Sequence, residues 1–153
     1  MNQIKTMFAQ HPLFQDFSEE ELEFLATCAS AEQLDAGRIL FQEAQEARHF
    51  YLIREGDIAL ELRHPKRGVI TIQTLHAGDA LGWSWLFPPY SWHFDARAMS
   101  HVHLLAFDAE KVRERLEQDN SLGYRLMKRF ASLMLERLQA TRLQVLDLYG
   151  TPS

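Results

Sequence analysis

The chain has 153 residues and a formal net charge of −5, enough length for one domain that buries its core without covalent staples. Its one cysteine, Cys28, excludes an intramolecular disulfide and any multi-cysteine metal or iron–sulfur site within the chain. No apolar run approaches the roughly 18 residues that cross a membrane and Met1 to Pro12 lacks the apolar stretch of a secretion signal, so a soluble, cytoplasmic protein with no membrane partner is expected.

Charge is unevenly placed: residues 1–62 hold 12 acids and 4 bases, residues 63–153 hold 9 acids and 12 bases. The later bases alternate with acids along helical segments, which describes a solvated face rather than a nucleic-acid patch.

In chain order, Asn2 to Gln10 reads as weakly helical up to Pro12. Ser18 followed by Glu19, Glu20 and Glu21 forms a capping box, with the acids favoured by the helix dipole. Leu22, Leu25, Ala26 and Ala29 then recur at helical spacing, which makes Cys28 a buried core thiol. Asp35-Ala36-Gly37 marks a turn, and short strands follow: Arg38 to Gln42, Phe50 to Arg54, Ile58 to Leu62, Val69 to Leu75 and His101 to Phe107. Glu55-Gly56-Asp57, His64 to Gly68 and His76 to Asp79 punctuate them. Strands at this spacing predict an antiparallel roll or barrel. Asp108 caps a short helix over Ala109 to Glu117, and Asp119-Asn120-Ser121 opens a long one reaching Leu148. One domain is thus expected, with N-terminal helices and roll over 1–120 and the long helix over 121–149.

The long helix carries two apolar stripes. Leu122, Leu126, Phe130 and Leu133 are confined to its first half and are expected to pack on the strands. Met127, Ala131, Met134, Leu138, Thr141, Val145 and Leu148 alternate spacings of four and three, a heptad seam. A helix about 40 Å long, at 1.5 Å per residue, outruns a small barrel. A homodimer through Met127, Met134, Leu138, Thr141 and Val145 is therefore expected; the bland alternative is one core that buries both stripes.

All three tryptophans, Trp83, Trp85 and Trp92, fall between Gly82 and Ala98, with Phe87, Tyr90 and Phe94. Such apolar area is costly in water. The segment therefore either lids the core or walls a pocket, and the candidate ligand-binding residues are Gly82, Trp83, Ser84, Trp85, Trp92 and His93. A short helix from Gly82 would present backbone amides to an anion, and the indoles would stack a purine or enclose a cation. Against this stands a self-filled pocket sealed by the loop.

An enzyme is not expected. His101 and His103 share one side of a strand, but the further histidine and carboxylate of a metal site are missing, and His76 and His93 sit in turns, so neither a metal site nor a catalytic residue is assigned. There is no nucleophile–base motif and no phosphate-cradling glycine run.

Leu13-Phe14 before the Ser18 cap, Asp35 to Phe41, Phe50 to Gly56, His76 to Asp79 and Arg137 to Thr141, in that order, resemble the effector domain of the Crp/Fnr regulators, the cyclic nucleotide-binding fold. The resemblance covers nearly the whole chain. It implies a mainly β architecture, a jelly-roll-like β-roll with flanking helices and a long C-terminal dimerisation helix. It also implies a sensor function, with Thr141 at the place of a helix threonine that contacts adenine. The departures are as informative. Family transcription factors continue into a helix-turn-helix, whereas this sequence ends at Ser153, so no sequence-specific DNA binding is expected. Nucleotide-binding members follow the loop glycine with a ribose-holding glutamate and place a phosphate-pairing arginine about nine residues on. Here Trp83 follows Gly82 and Trp92 or His93 stands at the arginine's place. Arg97 aligns with a later strand arginine, and Ala44 replaces a common turn glycine.

The resulting expectation is a stand-alone sensor domain of this fold with weakened or lost cyclic-AMP binding, its effector a cyclic nucleotide or another small anionic or aromatic ligand. The alternatives are a ligand-free dimeric interaction module and a haem or other-ligand sensor, with His49, His93 or His103 as the haem ligand.

Overall fold

The computed structural model describes residues 11–150. Two antiparallel four-stranded sheets face one another. One has the strand order β1 (Ala29–Leu34), β8 (Val102–Asp108), β3 (His49–Glu55), β6 (Ala80–Leu81); the other has β2 (Ile39–Phe41), β7 (Asp95–Ala98), β4 (Ile58–His64), β5 (Gly68–Leu75). Helix α1 (Glu19–Cys28) precedes the roll, and α2 (Ala109–Gln118) and α3 (Asn120–Gly150) follow it. This is the antiparallel roll that the strand spacing predicts, with the flanking helices that the resemblance implies.

The core sits where β3 meets β8. Phe50 lies opposite Phe107 and Leu52 opposite Leu105. The Phe50 and Phe107 rings stack at 4.6 Å with an interplanar angle of 1°. The inner stripe of α3 closes this core from outside: Leu122, Leu126 and Phe130 are all buried, as their spacing predicts, and the Phe130 ring meets Phe50 edge-on at 5.3 Å. Helix α1 is fastened to α3 by charge. Glu21 completes the Ser18 capping box and also accepts from Arg125, while Arg129 bonds Asp16 at 2.6 Å. Cys28 is a buried free thiol, its pKa pushed up by burial.

Three strands escape the sequence pattern. Ala29, the last residue at helical spacing, instead opens β1, an edge strand whose side chains are mostly exposed. Its backbone ladder to β8, from Ala29 opposite Phe107 to Leu34 opposite Val102, holds it in place. Strand β7 buries only Ala96 and Ala98, too small to give a strand signature. Strand β6 is two residues long.

The turn after β2 carries a conformational cost. Ala44 has φ +75°, a left-handed geometry in which a Cβ costs roughly 1–2 kcal/mol. The position is held by Ala44 N–H donating to Trp92 O at 2.8 Å and Ala47 N–H to Tyr90 O at 2.6 Å. Ala44→Gly is therefore expected to raise the unfolding free energy by about 1 kcal/mol. Urea unfolding would show it as a higher midpoint with unchanged slope; a lower midpoint would contradict the reading.

Candidate effector site

Between β6 and β7 the chain forms the aromatic loop, and its tryptophans take three different places. Trp85 is 0% exposed. It stacks on Phe50 at 4.5 Å, meets Phe130 edge-on at 5.5 Å and donates its indole N–H to Gly82 O at 3.1 Å. Trp92 is 3% exposed and stacks on Phe41 at 3.7 Å with a 7° interplanar angle. Its ring edge covers Gly82, whose φ is +105°, so closely that a Cβ there would lie 2.6 Å from Trp92 Cη2. Trp83 is half-buried and faces the other way, toward α3. The short helix at Gly82 is a three-residue 3-10 turn, Ser84–Leu86, with no side-chain cap. Ser84 is buried beside Trp85 and His93 is exposed.

A cavity of about 530 Å³ lies between the roll and α3. Leu60 on β4 and Ile72 and Gln73 on β5 form one wall, Trp83 and Phe94 from the aromatic loop a second, and Ala131, Met134, Leu135, Leu138, Thr141 and Arg137 of α3 the third. The structure thus gathers Trp83 and Thr141, but not Trp85, Trp92 or His93, around one space. Its size lies within the range of small-molecule sites, and its walls are chiefly apolar.

Arg137 is the one charged residue in that lining. Its Nη2 donates to Ala80 O at 2.6 Å and its guanidinium lies 4.5 Å from the Trp83 ring centroid. Its Nη1 is buried without a hydrogen-bond partner among the described residues. Burial lowers its pKa to about 10, so it remains cationic at neutral pH. Other bases near the loop are committed elsewhere. Arg97 makes a two-point ion pair with the buried Glu61, at 3.1 and 2.7 Å. Arg113 donates to Trp85 O at 2.9 Å and covers the Tyr90 ring at 4.3 Å.

Arg137 enters the sequence reading only as part of the long-helix motif and not as a candidate site residue, although a signal existed. It continues the inner stripe Leu126, Phe130, Leu133 at the next spacing of four, so a charge stands where an apolar residue belongs. The histidines lie outside the cavity lining. His103 is 3.3 Å from Glu55, and His101 contacts Asp35 and Gln33.

The fold is thus a β-roll whose last helix closes a cavity of small-molecule size. The model of the cyclic nucleotide-binding domain matches residues 31–119, and this chain belongs to that family of regulatory domains. A provisionally named cyclic nucleotide-binding protein from Geobacter metallireducens superposes with a TM-score of 0.80 at 25% identity, over 90% of this chain and 99% of that one. The Thermus thermophilus catabolite activator protein superposes at 0.70 with 22% identity, over 90% of this chain and 62% of that one, a likeness of fold. A provisionally named potassium channel protein of Rhodopseudomonas palustris is 23% identical over 79% of this chain, which spans only 29% of that protein's length. Among the described residues no helix is long and apolar enough to cross a membrane.

Proposed function

We propose that this domain is a sensor that takes a small effector into the cavity between roll and α3, and that it works as a homodimer through α3. The cavity itself carries the reading. It has the volume for a small molecule, and its third wall is the helix whose outer face is apolar and unpartnered. An effector seated there would touch both the roll and the dimer helix, so occupancy would bear on helix position. The free, buried Cys28 suits a reducing cytoplasm.

Ordinary cyclic nucleotides are poor candidates. By the resemblance, Trp92 or His93 stands at the place of the phosphate-pairing arginine and Trp83 where the ribose-holding acid would be; Trp92 also stacks on Phe41 and covers Gly82. A charge-assisted hydrogen bond is worth about 1.5–3 kcal/mol, so loss of both contacts weakens binding by about 10²–10⁴-fold. Calorimetry with cyclic AMP and cyclic GMP is expected to give dissociation constants weaker than about 100 µM or no heat at all. Micromolar binding of either would overturn this.

The ligand-free interaction module draws its support from Trp85 and Trp92, which spend their area on the core. Trp83 and the cavity beside it speak for a ligand.

A further inference from the structure

Resting on the reading of this cavity as an effector site, we infer that its ligand is an apolar or aromatic molecule with a single anionic head, a carboxylate by preference, and that Arg137 binds that head. Three observations converge. The walls offer Leu60, Ile72, Phe94 and Met134, a lining for a hydrocarbon or aryl body rather than for a polar sugar. The lining contains one positive charge and no carboxylate, so a monoanion is matched and a polyanion is not. Arg137 is desolvated with Nη1 unpartnered.

A buried donor left unmade costs about 1–3 kcal/mol, more on a charged group. The surrounding structure satisfies only part of this guanidinium: Ala80 O takes Nη2, and the Trp83 face takes some of the charge. A planar carboxylate accepts from two guanidinium nitrogens at once. Nη1 is closed off from the cavity as well as partnerless, so a carboxylate seated beside Arg137 would reach it by turning the guanidinium toward the cavity, while its apolar body filled the space between Ile72 and Leu138. Arg137 and Trp83 come from adjoining walls and touch through the cation–π contact. A ligand drawing on this arginine would therefore tie α3 to the aromatic loop.

The test uses 2-naphthoate and its neutral isostere 2-naphthamide as probes, by calorimetry on the full chain at pH 7.5, with wild type, Arg137→Met and Arg137→Lys. Wild type is expected to bind naphthoate at least tenfold more tightly than naphthamide. Arg137→Met should remove that preference while still binding naphthamide, and Arg137→Lys should restore part of it. Equal affinities in wild type, binding of neither probe, or a preference that survives in Arg137→Met would overturn the inference. Thermal melts confirm that the variants fold; should Arg137→Met fail to fold, the wild-type ratio decides alone. The two readings fail separately. Equal binding that quenches Trp83 fluorescence, lost in Trp83→Phe, keeps the cavity as the site and sinks only the charge assignment. Micromolar cyclic AMP with no response to either probe sinks the underlying view of the site.

Discussion

Trp92→Ala is expected to lower the unfolding free energy by about 3–5 kcal/mol, the range for truncating a buried aromatic. The indole stacks on Phe41 and fills the space over Gly82, and both contacts go at once. Gly82→Ala should be costly for a related but separable reason. Its φ of +105° strains any Cβ, and that Cβ would meet Trp92 at 2.6 and 2.9 Å. Strain and overpacking each contribute about 1–3 kcal/mol. In the double variant the clash disappears while the backbone strain stays, so the two costs should fall short of additivity by about 0.5–3 kcal/mol. Urea unfolding followed by far-ultraviolet circular dichroism measures all four corners of this cycle. If Gly82→Ala costs the same with and without the indole, Trp92 does not fill the place assigned to it. The same packing bears on engineering. Arginine at 92 with glutamate at 83 would restore the family's residue types, but position 92 points at Phe41. Destabilisation is therefore the expected result, rather than nucleotide binding.

How far the sequence speaks depends on what holds each element. The roll, the Ser18 capping box and the long helix were legible because they rest on local signals: apolar alternation, a side-chain cap and an unbroken helical period. Strands β1 and β7 were not, because one is fixed by its neighbour's backbone and the other by two alanines. The aromatic loop was visible as a feature but not as a geometry. Whether an indole packs inward or lines a pocket depends on partners far along the chain, such as Phe41 for Trp92 and Phe130 for Trp85. The site residue with most chemistry was hidden by its company. Arg137 stands beside Leu138 in a segment that reads as a dimer helix, and only its place on the inner stripe sets it apart.

Val145→Glu with Leu138→Glu is expected to turn a dimer into a monomer. Leu138 is 66% exposed and Val145 46% exposed in the single chain. Leu135 and Leu146, within about 80° of Leu138 around the helix at 3.6 residues per turn, are exposed as well. Burying each such side chain against a second helix contributes about 1.5–3 kcal/mol, and a glutamate placed in the seam instead loses solvation on both copies. The dissociation constant should rise by at least a hundredfold, about 2.7 kcal/mol. Light scattering then reads a mass near 17.8 kDa for the double variant and about twice that for wild type. A wild type already monomeric at about 100 µM, some 5.5 kcal/mol of association at most, would show that the seam meets no second copy. The two substitutions also differ in a useful way. Leu138 lines the cavity and Val145 does not. Val145→Glu alone should therefore loosen the dimer while leaving the cavity's walls intact, whereas Leu138→Glu should disturb both. Because linkage is reciprocal, an effector bound more tightly by the dimer must itself tighten the dimer. The naphthoate affinity of Val145→Glu against that of wild type measures this coupling, and equal affinities would mean that α3 closes the site without carrying its signal.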